Sequence, residues 1–181
     1  QREDAWTWEH MALTRARALT GSEGAIRKVD AILSDVLGAE RDAATLKADL
    51  LKMRSEMAAH KPAKGPLDVK LLRGGLVDIE FLVHFIQLRD RTGLTPAVDE
   101  ALGQIPELAQ LVPAHVLMTR LLVGTRLLAP DLAIPAEAQQ AILARLCEAD
   151  DFDGLLARLG DQRRAVAQVW HDLFDERLEL D

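Results

Sequence analysis

The stretch DQRRAVAQVWHDLFDERL, residues 161–178, carries the clearest helical pattern in this sequence. Its apolar residues recur every three or four positions, as they do where a helix packs one face on a core. The residues predicted on the core face are Val166, Val169, Trp170, Leu173 and Phe174. Those expected on the solvent face are Arg163, Arg164, Gln168 and Asp172. We therefore predict an amphipathic helix here.

The same periodicity recurs along the chain, and no stretch alternates in the way that a half-buried strand does. Glycine and proline residues separate the helical stretches. We predict helices at residues 4–19, 23–37, 40–59, 76–91, 96–104, 113–129, 135–148, 151–159 and 161–178. Most connections are short, which favours antiparallel neighbours. The sequence predicts an all-α fold, an up-and-down antiparallel helical bundle with additional short helices, as a single domain over residues 1–181.

The charge of the chain is unevenly distributed. The net charge is -7 over 181 residues, which argues against nucleic-acid binding, because a phosphate-backbone binder needs a basic face. Residues 1–91 carry 15 Lys and Arg against 14 Asp and Glu, whereas residues 92–181 carry 7 against 15. We therefore expect an anionic ligand to meet the first half.

The most apolar stretch, residues 116–129, contains Arg120 and Arg126, so we predict no membrane-spanning segment. The single cysteine, Cys147, excludes an internal disulfide and fits a reducing compartment. We therefore expect a cytoplasmic protein. Trp6 and Trp8 follow within eight residues of the start, and we expect a further domain before them to cover the pair.

Glu9 is predicted to lie on the apolar side of the first helix. A buried carboxylate needs a cationic partner, so we expect Arg15, Lys70 or Arg73 to pair with it. One interpretation is a structural ion pair. The other is that Glu9 orients a basic residue towards a nucleotide.

The irregular segment at residues 60–75 ends in the motif KLLRGG, which places Lys70 and Arg73 before Gly74 and Gly75. Glycines allow close approach of a ligand, and a helix start has free N–H groups that attract anions, so a phosphate site is one interpretation. The alternative is structural. In it Gly75 caps the helix, Asp78 offsets the helix dipole, and the two cations are solvated.

The following helix carries a polar stripe, which we expect to face solvent. Its members are Glu80, His84, Gln87 and Arg91. His84 and Glu80 have the spacing of two metal ligands, but the sequence offers no third, so we predict no metal site. Phosphate-binding loops of the GxxxxGK[ST] type, GxSxG and Asp-x-Asp pairs are also missing.

Two stretches resemble a known family. AWTWEHMALTRAR, residues 5–17, and DVKLLRGGLVDIEFLVHFIQLR, residues 68–89, are similar to paired signatures of bacterial glutamine synthetase adenylyltransferases. In that family they follow a nucleotidyltransferase domain, and the WTWEH form resembles the C-terminal, adenylylating half. The residues after about Leu94 fit the family pattern poorly, which leaves the partner surfaces of this part open.

The resemblance implies part of a bifunctional enzyme that transfers AMP from ATP to a tyrosine of glutamine synthetase and removes it again, under control by PII signal proteins and glutamine. The family's GSDLD-like metal-binding motif is missing here. We therefore expect no catalytic residue, no bound ATP or Mg²⁺ and no activity in this chain alone. Lys70, Arg73, Gly74 and Gly75 are candidates for phosphate contact. Glu9, Arg15, Arg17, Asp78 and Glu80 are candidates for the interface with the nucleotidyltransferase domain.

Two other functions stay open. One is a regulatory module that binds glutamine synthetase or PII without touching nucleotide. The other is the helical domain of a related uridylyltransferase that modifies PII, although the tryptophans argue against this.

Overall fold

The computed structural model describes residues 5–180, which form α-helices and one 3₁₀ helix without any β-strand. The predicted all-α class is confirmed. Asp4, where the first helix was expected to begin, lies outside the described residues. The helices are α1 (Thr7–Leu13), α2 (Glu23–Leu37), α3 (Ala43–His60), α4 (Leu76–Asp90), α5 (Val98–Gln104), a 3₁₀ helix (Pro106–Leu111), α6 (Val112–Leu128), α7 (Glu137–Leu146) and α8 (Phe152–Phe174).

The chain divides into two compact units, and it passes between them three times. One unit contains the residues up to Ser55 together with Phe81–Ala109, and the other contains Glu56–Glu80 and the residues from Gln110 onward. The single domain that the sequence indicates stays a prediction.

In the first unit, α1 packs on α2, and the Thr7 hydroxyl donates a hydrogen bond to the Asp49 carboxylate of α3. Arg41 closes the end of α2 by donating to the carbonyls of Val36 and Leu37. Such bonds satisfy carbonyl groups that the last turn of a helix leaves free.

In the second unit, α6, α7 and α8 pack against one another. Gly124 of α6 allows this, because a Cβ atom there would lie 2.7 Å from the side chains of Leu143 and Leu146 on α7. Trp170 and Phe174 of α8 pack edge to face, with their ring centroids 4.6 Å apart. Cys147 is buried as a free thiol.

Three helix predictions differ from the structure. The helices expected at 151–159 and 161–178 are one continuous helix that passes through Gly160. Burial of the apolar residues on both sides offsets the low helix propensity of glycine. The first helix ends at Leu13 instead of residue 19, and Thr14 follows it as the C-cap residue. The 3₁₀ helix at Pro106–Leu111 was not predicted.

The stripe on α4 is also different from the prediction. His84 is 5% exposed and Gln87 is 1% exposed, so neither faces solvent. The helix is apolar on nearly every side, and it buries these two polar residues along with the rest. Glu80 is half-buried, and Arg91 is exposed as expected.

Within the described part of the chain, one helical stretch, Pro106–Leu128, is long and apolar enough to cross a membrane by length and composition, where the sequence predicted none. The core helix of a soluble protein meets the same criteria. Ala114, Leu117 and Leu121 on this stretch are buried in the protein. The stretch is therefore weak evidence for a membrane span.

Candidate functional site

The segment from Asp68 to Gly75 folds into a series of tight turns against the start of α4. The N–H groups of Leu71 and Leu72 donate to the Asp68 carbonyl at 3.0 and 2.9 Å. Leu72 in turn accepts from the N–H of Gly75 at 3.0 Å. Leu72 and Asp68 are buried, so the segment is held firmly although it has no regular helix.

The first N–H groups of α4 all have partners inside the protein. Leu76 donates to the Val69 carbonyl at 2.9 Å, and Val77 donates to the Lys70 carbonyl at 3.2 Å. The next two donors, Asp78 and Ile79, bond to the Gly75 carbonyl at 3.1 and 3.2 Å. The free helix N-terminus expected from the sequence is therefore not present. Any phosphate contact here has to come from side chains.

The two glycines are needed by the packing of the chain itself. Gly74 has φ +73°, and a Cβ there would lie 2.6 Å from the carbonyl oxygen of Arg163. A Cβ on Gly75 would lie 2.5 Å from the carbonyl oxygen of Val69. Both distances are shorter than any side chain tolerates. The close approach that the glycines permit is thus, in this structure, between backbone and backbone.

Asp78 is fully buried, and its carboxylate accepts a hydrogen bond from the Gly74 N–H at 2.6 Å. A charge-assisted bond of this kind fixes the glycine in its left-handed conformation. Asp78 therefore belongs to the support of the glycine pair, as well as lying in the first turn of α4 where its charge offsets the dipole. Its predicted role at a domain interface stays a prediction.

The two cations of the motif are presented differently. Lys70 is exposed, whereas Arg73 is half-buried. The carbonyl oxygen of Arg73 accepts a hydrogen bond from Nε of Arg163 in α8, at 2.8 Å. The sequence placed Arg163 on the solvent face of the last helix, but it is half-buried and bonded to the motif.

The first signature lies in the other unit. The Glu9 carboxylate accepts a hydrogen bond from the Trp6 N–H at 2.9 Å, so it caps its own helix. The expected pairing of Glu9 with Arg15, Lys70 or Arg73 stays a prediction. Arg15 and Arg17 are exposed, and the exposed fractions of Trp6 and Trp8 are 73% and 54%.

A buried polar network joins the end of α1 to α4. His84 Nδ1 lies 2.8 Å from the Thr14 hydroxyl and 3.2 Å from Gln87 Oε1. Because that hydroxyl donates to Met11, Nδ1 of His84 must carry the proton and donate to both oxygens. Gln87 in turn donates to the Gly93 carbonyl at 2.6 Å.

Burial lowers the pKa of His84 from 6.5 to about 4, because an imidazolium in this position loses its hydration. The hydrogen bond to Gln87 acts in the opposite direction, and the charge of Arg15 lowers the pKa further. His84 is therefore neutral at physiological pH. Among residues 5–180, no group of three or more His, Cys, Asp or Glu side chains is placed to hold a metal ion.

A cleft of about 530 Å³ lies where α7 meets the start of α8. Its lining includes the acidic residues Glu137, Asp150, Asp151 and Asp153 together with a single cation, Arg145. The candidate phosphate-contact residues do not line it. The cleft therefore has a negative net charge.

Comparisons with known proteins place these features in a family. No protein-family model matches the chain. Several proteins named bifunctional glutamine synthetase adenylyltransferase/adenylyl-removing enzyme match nearly all of it. The one from Brucella suis is 40% identical over 187 residues, which cover 96% of this chain and 19% of that protein. Those from Rhizobium meliloti and Xanthobacter autotrophicus are 36% and 35% identical, cover 93% and 99% of this chain, and are matched over 18% and 20% of their own length.

The chain belongs to the glutamine synthetase adenylyltransferase family. It spans about a fifth of the length of these relatives. The similarity also runs through the residues after about Leu94, which we expected to fit the adenylyltransferase pattern poorly, because alignments that cover 93% or more of the chain must include most of them.

The sequence did not predict the burial of two arginines of this adenylyltransferase segment, Arg54, which is buried, and Arg163, which is half-buried. Arg54 is 1% exposed and follows Leu46 and Leu50 at intervals of four residues on α3. Arg163 similarly follows Leu159 at an interval of four on α8. A cation in line with apolar residues at helical spacing is the sequence signal by which both arginines are recognisable.

Proposed function

We propose that this chain is the helical module of an enzyme that adenylylates and deadenylylates glutamine synthetase in the cytoplasm. The names of the relatives support this assignment, and the paired signatures agree with it. ATP would supply the AMP group in the reaction. We place the catalytic metal ligands in the nucleotidyltransferase domain of the full-length enzyme, and we propose none in this chain.

Within that enzyme, we propose that Lys70 and Arg73 offer positive charge to the phosphates of ATP at one side of the active-site cleft. The observation that carries this proposal is the support of the motif. Its backbone is fixed by the Asp78 carboxylate and by Arg163, while Lys70 extends into solvent. Transfer of a nucleotidyl group depends on positioning and charge stabilisation, so cations held rigidly by a neighbouring domain can contribute to it.

Steady-state adenylylation by the full-length enzyme tests the proposal. We expect Lys70→Ala and Arg73→Ala each to lower kcat/KM for ATP on the order of tenfold, since a charge-assisted hydrogen bond to phosphate is lost. Lys61→Ala and Arg126→Ala are matched controls, because both residues are exposed in the same unit. Unchanged kinetics in both test variants would contradict the proposal.

A second candidate function is docking of a protein partner, either glutamine synthetase or PII. The exposed Trp6 and Trp8 support it, because a pair of exposed tryptophans is typical of an interaction surface. The acidic cleft between α7 and α8 suits a basic partner surface. In this case Trp6→Ala and Trp8→Ala weaken association with the partner, while the KM for ATP stays unchanged.

A further inference from the structure

Arg163 lies midway along α8, in line with residues of the core. Leu159, Val166 and Trp170 are buried and stand four residues before, three after and seven after Arg163. At about 100° per residue these positions form a single stripe, and Arg163 is in its middle. An apolar side chain would pack at this position without a desolvation cost, whereas a guanidinium loses part of its hydration there. A specific contact or function is therefore expected to keep the arginine at this position.

The contacts of Arg163 lead to the motif that carries Arg73. Its Nε donates to the Arg73 carbonyl at 2.8 Å. Its own carbonyl oxygen lies so close to Gly74 that only glycine fits there. Side chain and backbone of Arg163 therefore both hold the same turn, although the two segments are about ninety residues apart in sequence.

The remainder of the guanidinium is poorly satisfied. Nη2 of Arg163 is buried and has no hydrogen-bond partner among the described residues. The nearby carboxylate of Asp161 pairs with the exposed Arg164 instead. Departures of this kind from the rules of stable packing are typical of positions kept for function.

We propose that Arg163 is a positioning residue for Arg73, and this rests on the proposed role of Arg73 in phosphate binding. The Nε bond fixes the carbonyl of Arg73, and the close contact at Gly74 fixes the next residue. Together they set the direction in which the Arg73 side chain leaves the turn. Arg163 acts through this geometry, without contacting the nucleotide itself.

Two substitutions whose side chains are of nearly equal length distinguish a geometric role of Arg163 from an effect of its charge. In Arg163→Gln the amide nitrogen stands as many bonds from Cα as Nε of arginine, so the bond to Arg73 can form although the charge is lost. In Arg163→Met the chain length is kept, but there is no donor. Arg164→Met is the control, because it removes an exposed arginine from the same helix turn.

The experiment measures kcat and KM for ATP in the full-length enzyme, together with thermal unfolding of each variant. We expect Arg163→Met to raise the KM for ATP on the order of tenfold, as misplaced binding groups do. Arg163→Gln should keep most of the wild-type KM, and Arg164→Met all of it. The double variant Arg73→Met/Arg163→Met should be no worse than Arg73→Met alone, since one residue acts through the other.

Three results would overturn the inference while the proposed function stands. In the first, Arg73→Met raises the KM and folded Arg163→Met leaves it unchanged. In the second, Arg163→Gln is as impaired as Arg163→Met, and in the third, the single effects multiply in the double variant. The last two would show that Arg163 acts by its own charge. If Arg73→Met itself has no effect, the proposed function fails, and the inference fails with it.

Discussion

Gly74 and Asp78 show how single residues fix the candidate site. The glycine takes a left-handed conformation at φ +73°, and the carboxylate of Asp78 accepts its N–H at 2.6 Å. Spacing in the sequence indicated a glycine pair before a helix start, and this is correct. The sequence did not indicate that the carbonyl of Arg163 fills the space beside Gly74, because a contact between distant segments leaves no local pattern.

Gly74→Ala should therefore destabilise the protein by about 2–4 kcal/mol, from strain at positive φ and the clash with the Arg163 carbonyl. The measurement is urea unfolding of the isolated chain. Gly24→Ala is the control, because a Cβ at Gly24 has nothing within 4 Å. It should change the unfolding free energy by less than about 1 kcal/mol. Equal effects of the two substitutions would contradict the packing described here.

His84 makes stability depend on pH. Its pKa is about 4 in the folded protein and 6.5 without the fold, so between these values the unfolded chain binds a proton that the folded protein does not. The contribution of His84 to the free energy of unfolding is fully present above pH 6.5 and decreases as the pH falls towards 4. The expected loss between pH 7 and pH 5 is about 2 kcal/mol.

Urea unfolding at the two pH values measures this loss. In His84→Gln the difference between pH 7 and pH 5 should shrink by that amount, whatever the variant costs in absolute stability. The exposed His60 gives the control, and His60→Gln should keep the wild-type difference. A difference that survives unchanged in His84→Gln would show that His84 is not the titrating group.

At the scale of the elements, the long helix α8 shows where sequence reasoning succeeded and where it failed. Periodicity predicts helical structure on both sides of Gly160, but the glycine also predicts a break between two helices, which the structure does not contain. That break separated residues 152–159 from 161–174, so the apolar stripe of the first part was not extended to Arg163. The bounds of α2 were predicted to the residue, because a serine N-cap and a following glycine mark its ends.

Gly160→Ala tests the continuity of α8. A Cβ at this position would make only an ordinary contact, 3.4 Å from the flexible end of Arg164. Alanine should therefore stabilise the protein by up to about 1 kcal/mol, through its higher helix propensity. Thermal unfolding reports the change. A marked loss of stability would indicate that the chain needs a break at Gly160.

At the scale of the whole molecule, the chain is a helical segment that covers about a fifth of its adenylyltransferase relatives. Composition and the two signatures were enough to predict the fold class and the family. The site was harder to predict, because the burial of His84 and Gln87 and the bond of Arg163 to Arg73 depend on packing between segments far apart in sequence. The proposed function of the chain depends on whether Lys70 and Arg73 contact nucleotide.

Calorimetric titration of the full-length enzyme with ATP, in the wild type and in Lys70→Ala/Arg73→Ala, tests this most directly. We expect the double variant to bind ATP at least about tenfold more weakly, through loss of two charge-assisted contacts, while Lys61→Ala/Arg126→Ala binds as the wild type does. An unchanged Kd for ATP in the folded double variant would contradict the proposed function and would favour a module that docks protein partners.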